Sequence, residues 1–267
     1  MDATDNSRNK AGAGGGMPEN ADKIAELIRK SHKIVFFGGA GVSTESGVKD
    51  YRSEDGLYNT VKEYKVSPET ILSHSFFMHN TDVFYDFYRK YFVTDSDKVL
   101  PNKAHLALAK LERDGRLSAV VTQNIDGLHQ KAGSRNVFEL HGTIARYHCM
   151  KCRRAYSFDD VFGGGKNATG VPKCPECGGL IKPDVTLYEE SLDSDVIEGA
   201  VDAIYNADLL IIGGTSLAVY PASSFVQYFR GENSILINRE ATYYDRNATV
   251  ISRGKIGEVL DAAVKMV

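Results

Sequence analysis

Four short apolar runs, each closed by glycine or by a polar turn, constrain this chain more than any other feature. Lys33-Ile-Val-Phe-Phe37 runs into Gly38-Gly-Ala-Gly41, and Leu117–Thr122 runs into Gln123-Asn124. Ala207–Ile212 ends at Gly213-Gly214, and Ser234–Asn238 leads into Arg239-Glu240. Runs this short, apolar at consecutive positions, read as strands buried on both faces. Between them lie stretches with helical spacing, among them Ala21–Lys30 (through Ile24, Leu27 and Ile28), Ala104–Asp114 and Val196–Tyr205. Buried strands alternating with helices predict an α/β fold built on a parallel, doubly wound sheet.

Two segments break the rhythm. Residues 51–100 are rich in Tyr, Phe and His, with helical spacing around Phe84, Phe87, Tyr88 and Tyr91, and residues 145–182 hold all four cysteines. Both read as insertions that pack together as a smaller module. The expected division is a large domain from residues 19–50, 101–144 and 183–267, and a small domain from 51–100 and 145–182. Residues 1–18 are polar and Gly-rich with nothing to bury, and are expected to be a disordered tail.

A chain of 267 residues buries enough surface to need no disulfides. No run of 18 apolar residues exists, and the N-terminus is polar and acidic where a signal peptide is basic then apolar. The expectation is a soluble cytoplasmic protein, monomeric and without membrane contact. Lys+Arg 32 against Asp+Glu 35 gives a net charge of −3, which argues against a generic polyanion binder. Residues 145–182 carry seven Lys/Arg against three Asp/Glu, a local +4 that reads as a solvated face, so no specific nucleic-acid partner is expected.

Cys149-x-x-Cys152, then 21 residues, then Cys174-Pro-Glu-Cys177 has the spacing of a four-thiolate zinc ribbon. Without a secretion signal, paired cysteines favour metal over disulfides. Four thiolates close the shell and leave no position for an activated water, so the zinc is read as structural. The turn Gly38-Gly39-Ala40-Gly41-Val42-Ser43 after a strand suits a diphosphate approaching free N–H groups at a helix start, although it lacks the G-x-G-x-x-G spacing. Thr122-Gln123-Asn124-Ile125-Asp126, Gly213-Gly-Thr-Ser216 and Asn238-Arg-Glu240 also follow strands. Ligands of open parallel sheets bind outside the carboxyl ends of strands, so these clusters point to one nucleotide crevice. His141, in Phe138-Glu-Leu-His-Gly142, falls between the sheet and the cysteine module, where a general base near neutrality would serve a cleft. His74, His79, His105 and His129 carry no such placement.

Taken together, these residues resemble the sirtuins, NAD-dependent protein-lysine deacylases, from about Asp22 to the C-terminus. The resemblance rests on Gly39-Ala-Gly-Val-Ser-Thr-Glu-Ser-Gly47 with Asp50-Tyr-Arg52, Thr122-Gln-Asn-Ile-Asp126, His141-Gly142, the paired cysteines, Gly214-Thr-Ser216 and Asn238-Arg-Glu240. It implies a Rossmann-like large domain with a smaller zinc-ribbon plus helical domain. It also implies that Ala40, Gly41, Ser43, Asp50, Tyr51 and Arg52 hold the diphosphate side of NAD and cover the nicotinamide ribose. Gln123, Asn124, Ile125 and Asp126 would shape the nicotinamide pocket, and Gly214, Thr215, Ser216, Asn238 and Glu240 would hold the adenosine half. His141 would be the general base.

The implied chemistry is attack of an acetyl-lysine amide oxygen on the nicotinamide ribose, with nicotinamide expelled. His141 would then deprotonate a ribose hydroxyl, giving free lysine and O-acetyl-ADP-ribose. An acyl-lysine peptide would add as a β-strand at Lys182–Glu190 and Leu217–Tyr220. Three residues depart from the family pattern: Lys49 replaces Pro, Tyr51 replaces Phe, and Glu189 stands where Gly is common. The Tyr/Arg pair of desuccinylating sirtuins has no evident counterpart in Ser53–Tyr58, which favours a neutral acyl group. Two other classes compete: an NAD-dependent dehydrogenase, revealed by an absorbance change at 340 nm, and a zinc-ribbon nucleic-acid binder, revealed by salt-dependent DNA binding.

Overall fold

The computed structural model describes residues 17–48, 64–94, 98–162 and 169–267. Most of the expected tail, and the expected ligand-facing residues Asp50, Tyr51 and Arg52, lie outside the described residues, as do Lys49 and Ser53–Tyr58. The strands are β1 (Ile34–Gly38), β2 (Leu117–Thr122), β3 (Val137–Glu139), β4 (Gly142–Cys149), β5 (Ala155–Ser157), β6 (Ile181–Val185), β7 (Leu209–Gly213), β8 (Asn233–Ile237) and β9 (Val250–Ser252).

Six of them form one sheet in the order β3-β2-β1-β7-β8-β9, every pairing parallel. β1 and β7 lie in the middle and are buried at every position, as their unbroken apolar runs require. Side chains alternate across the pleat. Ile34 and Phe36 enter a core with the helices Ala21–Lys30, Lys103–Arg113 and Ile256–Lys265. Val35 and Phe37 enter a second core on the other face, beneath the helix Ser194–Tyr205 and the 3₁₀ segment Ala222–Tyr228. Each fully buried Ile or Phe contributes about 1.5–3 kcal/mol.

The expected doubly wound sheet is therefore present, with two differences. β7 starts at Leu209 because Asp208 turns the chain: its carboxylate accepts the His32 and Lys33 amides at 2.8 and 3.0 Å. The edges β3 and β9, three residues each, were not foreseen, since so short a strand carries no periodicity.

A second, antiparallel sheet has the order β5-β4-β6. Its apolar face shares one core with the helices His74–His79 and Thr81–Tyr88. Phe77, Phe84, Tyr85, Phe87 and Tyr88 pack there with Tyr147, Cys149, Phe162 and Ile181. The buried phenols find partners inside it: Tyr85 donates to the Ile181 carbonyl, and the Tyr88 and Tyr147 hydroxyls lie 3.1 Å apart.

Candidate functional site at the centre of the parallel sheet

Strand order reverses between β1 and β7. From β1 the chain winds outward through β2 and β3, then returns and winds the other way through β7, β8 and β9. The carboxyl ends flanking such a reversal splay apart and leave a crevice. After β1, the short helix Ala40–Ser43 begins at Gly39, and after β7 the chain turns at Gly214 in the left-handed region (φ 58°). The Gly41 amide donates to the Gly214 carbonyl at 2.8 Å. A Cβ on Gly41 would lie 2.9 Å from Gly214, and one on Gly214 would lie 2.4 Å from the Val42 nitrogen. Only glycine at both positions permits this approach.

The turn after β2 is wired into the same place. Asn124 Nδ2 donates to the Gly39 carbonyl (3.1 Å) and to Ser43 Oγ (2.9 Å). Ser43 Oγ in turn donates to Asp126 Oδ2 at 2.6 Å, and Asp126 Oδ1 accepts the Leu128 amide at 2.9 Å. Gln123 Nε2 reaches Thr215 Oγ1 at 3.4 Å, and the Gln123 amide donates to the Gly38 carbonyl at 3.0 Å. The Ile125 carbonyl accepts the amide of Ile144 on β4. Ala40, Gly41, Ser43, Gln123, Asn124, Asp126, Gly214 and Thr215 are thus drawn into one connected cluster. Ser216 follows it on the exposed side.

Asn238 and Glu240 lie at the neighbouring strand end, where the Gly214 amide donates to the Ile237 carbonyl at 3.1 Å. Their turn is held by Arg253, whose Nη1 donates to the carbonyls of Asn238 (3.2 Å) and Glu240 (2.9 Å) while Nη2 pairs with Asp245. Sequence reading passed over Arg253, which follows an edge strand too short to notice. It also passed over Asn102, whose side chain reaches this region from the start of a helix. The Pro101-Asn102 pair before an apolar periodic stretch is a helix-start signal that marks it.

His141 sits between β3 and β4 with Nδ1 2.9 Å from the Gln123 carbonyl oxygen. A carbonyl only accepts, so Nδ1 carries the proton and Nε2 keeps its lone pair. Burial pushes the His141 pKa below the ordinary 6.5, opposed by that carbonyl contact, so the neutral form dominates near pH 7. The His141 carbonyl accepts the Thr186 amide at 3.0 Å, which joins the histidine to the segment after β6.

On β6 itself the Lys182 amine is almost fully enclosed. It donates to the Val185 carbonyl at 2.8 Å and pairs with Glu190 Oε2 at 3.0 Å. Glu190 also meets His74 Nδ1 at 2.8 Å. Glu189 adopts φ 74°, a conformation natural to glycine, and its carboxylate accepts both the amide and the hydroxyl of Ser75 (2.9 and 2.8 Å). A cleft of about 540 Å³ opens here, lined among others by Ser73, Ser75, Phe76, Tyr188 and Glu189.

Beneath the turn after β2, the His105 and His129 rings meet at a 59° tilt with centroids 4.7 Å apart, and His129 lies 6.0 Å from the ring of Phe36. Both are buried. Desolvation holds both largely neutral, with Asp126 opposing it at His105.

The four cysteine sulfurs lie within 4.8 Å of one another, with Cys149 and Cys177 at 3.5 Å and Cys152 and Cys174 at 3.7 Å. Sulfurs about 2.3 Å from one tetrahedral ion stand at such separations, so the set fits zinc. The Tyr156 hydroxyl lies 3.0 Å from Cys174 Sγ and holds that thiol down at about 6, toward the thiolate a metal requires. No helix among the described residues is long and apolar enough to cross a membrane.

Residues 39–221 match the model of the Sir2 family. The NAD-dependent protein deacetylase of Clostridium acetobutylicum is 52% identical over 246 residues, covering 91% of this chain and 98% of that relative. That of Clostridium perfringens is 51% identical over 249 residues, covering 93% and 100%. Among solved structures, one described as "Structural Basis for the Mechanism and Regulation of Sir2 Enzymes" superposes with a TM-score of 0.81 at 38% identity, covering 93% of this chain and 97% of that one. Another, described as "Sir2-p53 peptide-NAD+", superposes with a TM-score of 0.79 at 33% identity, covering 91% and 96%.

Proposed function

Since the chain belongs to the Sir2 family, we propose that it removes acetyl and other short neutral acyl groups from protein lysines, consuming NAD and giving nicotinamide and O-acetyl-ADP-ribose. NAD, when bound, supplies the ADP-ribose that accepts the acyl group. The observation that carries the reading is the bond from His141 Nδ1 to the Gln123 carbonyl, 2.9 Å long, which leaves Nε2 as a neutral base beside a strand-end crevice. In this reading His141 takes the proton from a ribose hydroxyl, a role suited to a base kept neutral near pH 7.

Ala40, Gly41, Ser43, Asp50, Tyr51 and Arg52 are assigned to the diphosphate and nicotinamide ribose. Gln123, Asn124, Ile125 and Asp126 are assigned to the nicotinamide pocket, and Gly214, Thr215, Ser216, Asn238 and Glu240 to the adenosine half. Contact between the turns after β1, β2 and β7 supports this grouping. Cys149, Cys152, Cys174 and Cys177 hold a structural zinc, which contributes a crosslink and leaves no open coordination position. The large domain is assigned to residues 19–50, 101–144 and 183–267, and the small one to 51–100 and 145–182. The substrates are acetyl-lysine proteins met in the cytoplasm by a monomer, each peptide adding as a strand between Lys182–Glu190 and Leu217–Tyr220.

The test is mass spectrometry of acetyl-, propionyl- and succinyl-lysine peptides incubated with and without NAD. Acetyl and propionyl groups are expected to leave only with NAD, and succinyl far more slowly, because a carboxylate buried without a cation is costly. Equal turnover of acetyl and succinyl peptides would overturn the acyl assignment. Absence of NAD-dependent deacylation would overturn the whole reading.

A further inference from the structure

We infer that Asn102 is a positioning residue for NAD binding: one side chain caps the helix Lys103–Arg113 and fixes the turn that follows β1. The inference rests on the proposed placement of NAD over that turn. Asn102 Oδ1 accepts the Ala104 amide at 2.9 Å, which caps the helix. Its Nδ2 points away from the helix and donates to the Val42 carbonyl at 2.7 Å and to Ser46 Oγ at 3.0 Å, across 60 and 56 residues of sequence. Val42 lies in the last turn of the short helix Ala40–Ser43, where a carbonyl lacks an intrahelical partner. Asn102 therefore joins the carboxyl end of one helix to the amino end of another, and both amide protons and the amide oxygen are used.

Among the described residues, little else holds that turn on this side. A four-residue helix does not persist alone. The Asn102 bonds tie it to a helix of 11 residues packed on the core. On a second side Glu45 Oε1 accepts the amide of Gly257, at the start of the helix Ile256–Lys265. Asn124 and Gly214 grip the turn from the crevice, as described above. Losing the Asn102 donor loosens the Val42–Ser46 side of the turn while the crevice contacts of Gly41 and Ser43 stay made, so the Ala40–Ser43 turn proposed to meet the diphosphate is less firmly preset. Preorganisation lost in the free protein reappears as weaker binding of the one ligand that needs it.

Asn102→Asp separates the two duties. Aspartate caps as well as asparagine and is favoured by the helix dipole, but it has no proton to give the Val42 carbonyl. Asn102→Asp and Asn102→Ala are compared with the parent by thermal melting, by calorimetric titration of NAD and of an acetyl-lysine peptide, and by hydrogen exchange without ligand. For Asn102→Asp the expected result is a parent-like melting temperature, unchanged peptide affinity, and an NAD Kd about tenfold higher, the scale of one or two hydrogen bonds. Exchange is expected to quicken at Val42–Gly47 while residues 104–113 stay protected. Asn102→Ala is expected to show the same NAD loss together with a lower melting temperature. Parent-like NAD affinity or parent-like exchange in Asn102→Asp overturns the inference. So does equal loss of NAD and peptide affinity with a falling melting temperature, which marks a purely structural residue. A parent that binds no NAD overturns the proposed function itself, while the exchange data still report on the strap.

Discussion

His141 Nδ1 donates to the Gln123 carbonyl at 2.9 Å, and that single contact decides which of its nitrogens is the base. A positioned general base is worth about 10²–10⁴-fold. His141→Ala is expected to lose net deacetylation by about that factor and to keep more of the nicotinamide exchange reaction, whose nucleophile is a neutral amide. Labelled nicotinamide entering NAD, measured beside deacetylated peptide, checks both stages. Deacetylation at the parent rate would remove His141 from the role.

The same histidine sets a pH limb. Burial holds its pKa below 6.5, so the basic form persists into mildly acidic solution and disappears only as pH falls through the lowered value. The acid limb of kcat is expected to have its midpoint below pH 6.5. A pH–rate profile whose acid limb lay above 6.5 would contradict the buried environment described for the ring.

The paired, buried His105 and His129 predict acid lability. Unfolded, each titrates near 6.5; folded, desolvation holds His105 down at about 4 and His129 at about 3. Below pH 6.5 the unfolded chain therefore binds more protons than the folded one. Stability is full above 6.5 and falls as pH drops from there toward the lowered folded values of the pair. His129→Phe removes the titrating nitrogens and keeps a ring against Phe36, so its melting temperature is expected to fall less between pH 8 and pH 5. Parallel curves for parent and variant would place the acid sensitivity elsewhere.

Gly142 is expected to tolerate no side chain. It sits at φ 74°, where a Cβ would lie 1.8 Å from the Asp184 carbonyl oxygen of β6. The neighbour is backbone and cannot swing aside. Gly142→Ala is expected to destabilise the protein by about 3 kcal/mol or more and to displace His141 beside it. Chemical denaturation with a parent-like midpoint would refute this.

Zinc removal should be a folding event. Cys149 and Cys174 are buried in the core shared by the small sheet and the aromatic helices. A closed thiolate site contributes its binding energy to folding. Cys149→Ser, or prolonged chelation, is expected to loosen that core, seen as lost near-ultraviolet circular dichroism of its tyrosines. A variant that kept the tyrosine signal and the melting curve while losing only turnover would argue for a catalytic metal.

How far these features could be read beforehand depended on whether neighbours in sequence were neighbours in space. β1 and β7 announce themselves because both faces are covered, so every residue is apolar. β3 and β9, at the rims, are half-covered and too short to show a pattern. Asn124 and Asp126 were legible because a polar cluster straight after a buried strand has few other uses. Asn102 and Arg253 were not, since each acts on a turn brought to it only by the folded sheet. Glu189 looked like a misfit where relatives of this type often carry glycine. The structure keeps the glycine-like backbone at that point and occupies the carboxylate with Ser75.

The enclosed amine of Lys182 has a consequence for the protein's own chemistry. Every solvent-facing lysine of an enzyme in an acyl-donor-rich cell is a target for the modification that such an enzyme erases. Lys182 lies in the segment beside which substrate is proposed to bind, yet its side chain is only 7% exposed and its protons are committed to the Val185 carbonyl and Glu190. Acylation requires a free amine open to the donor, and this one is enclosed and held by its partners. The fold thus shelters from acyl donors the lysine whose neutralisation would leave Glu190 without its cation and slacken the strand beside His141.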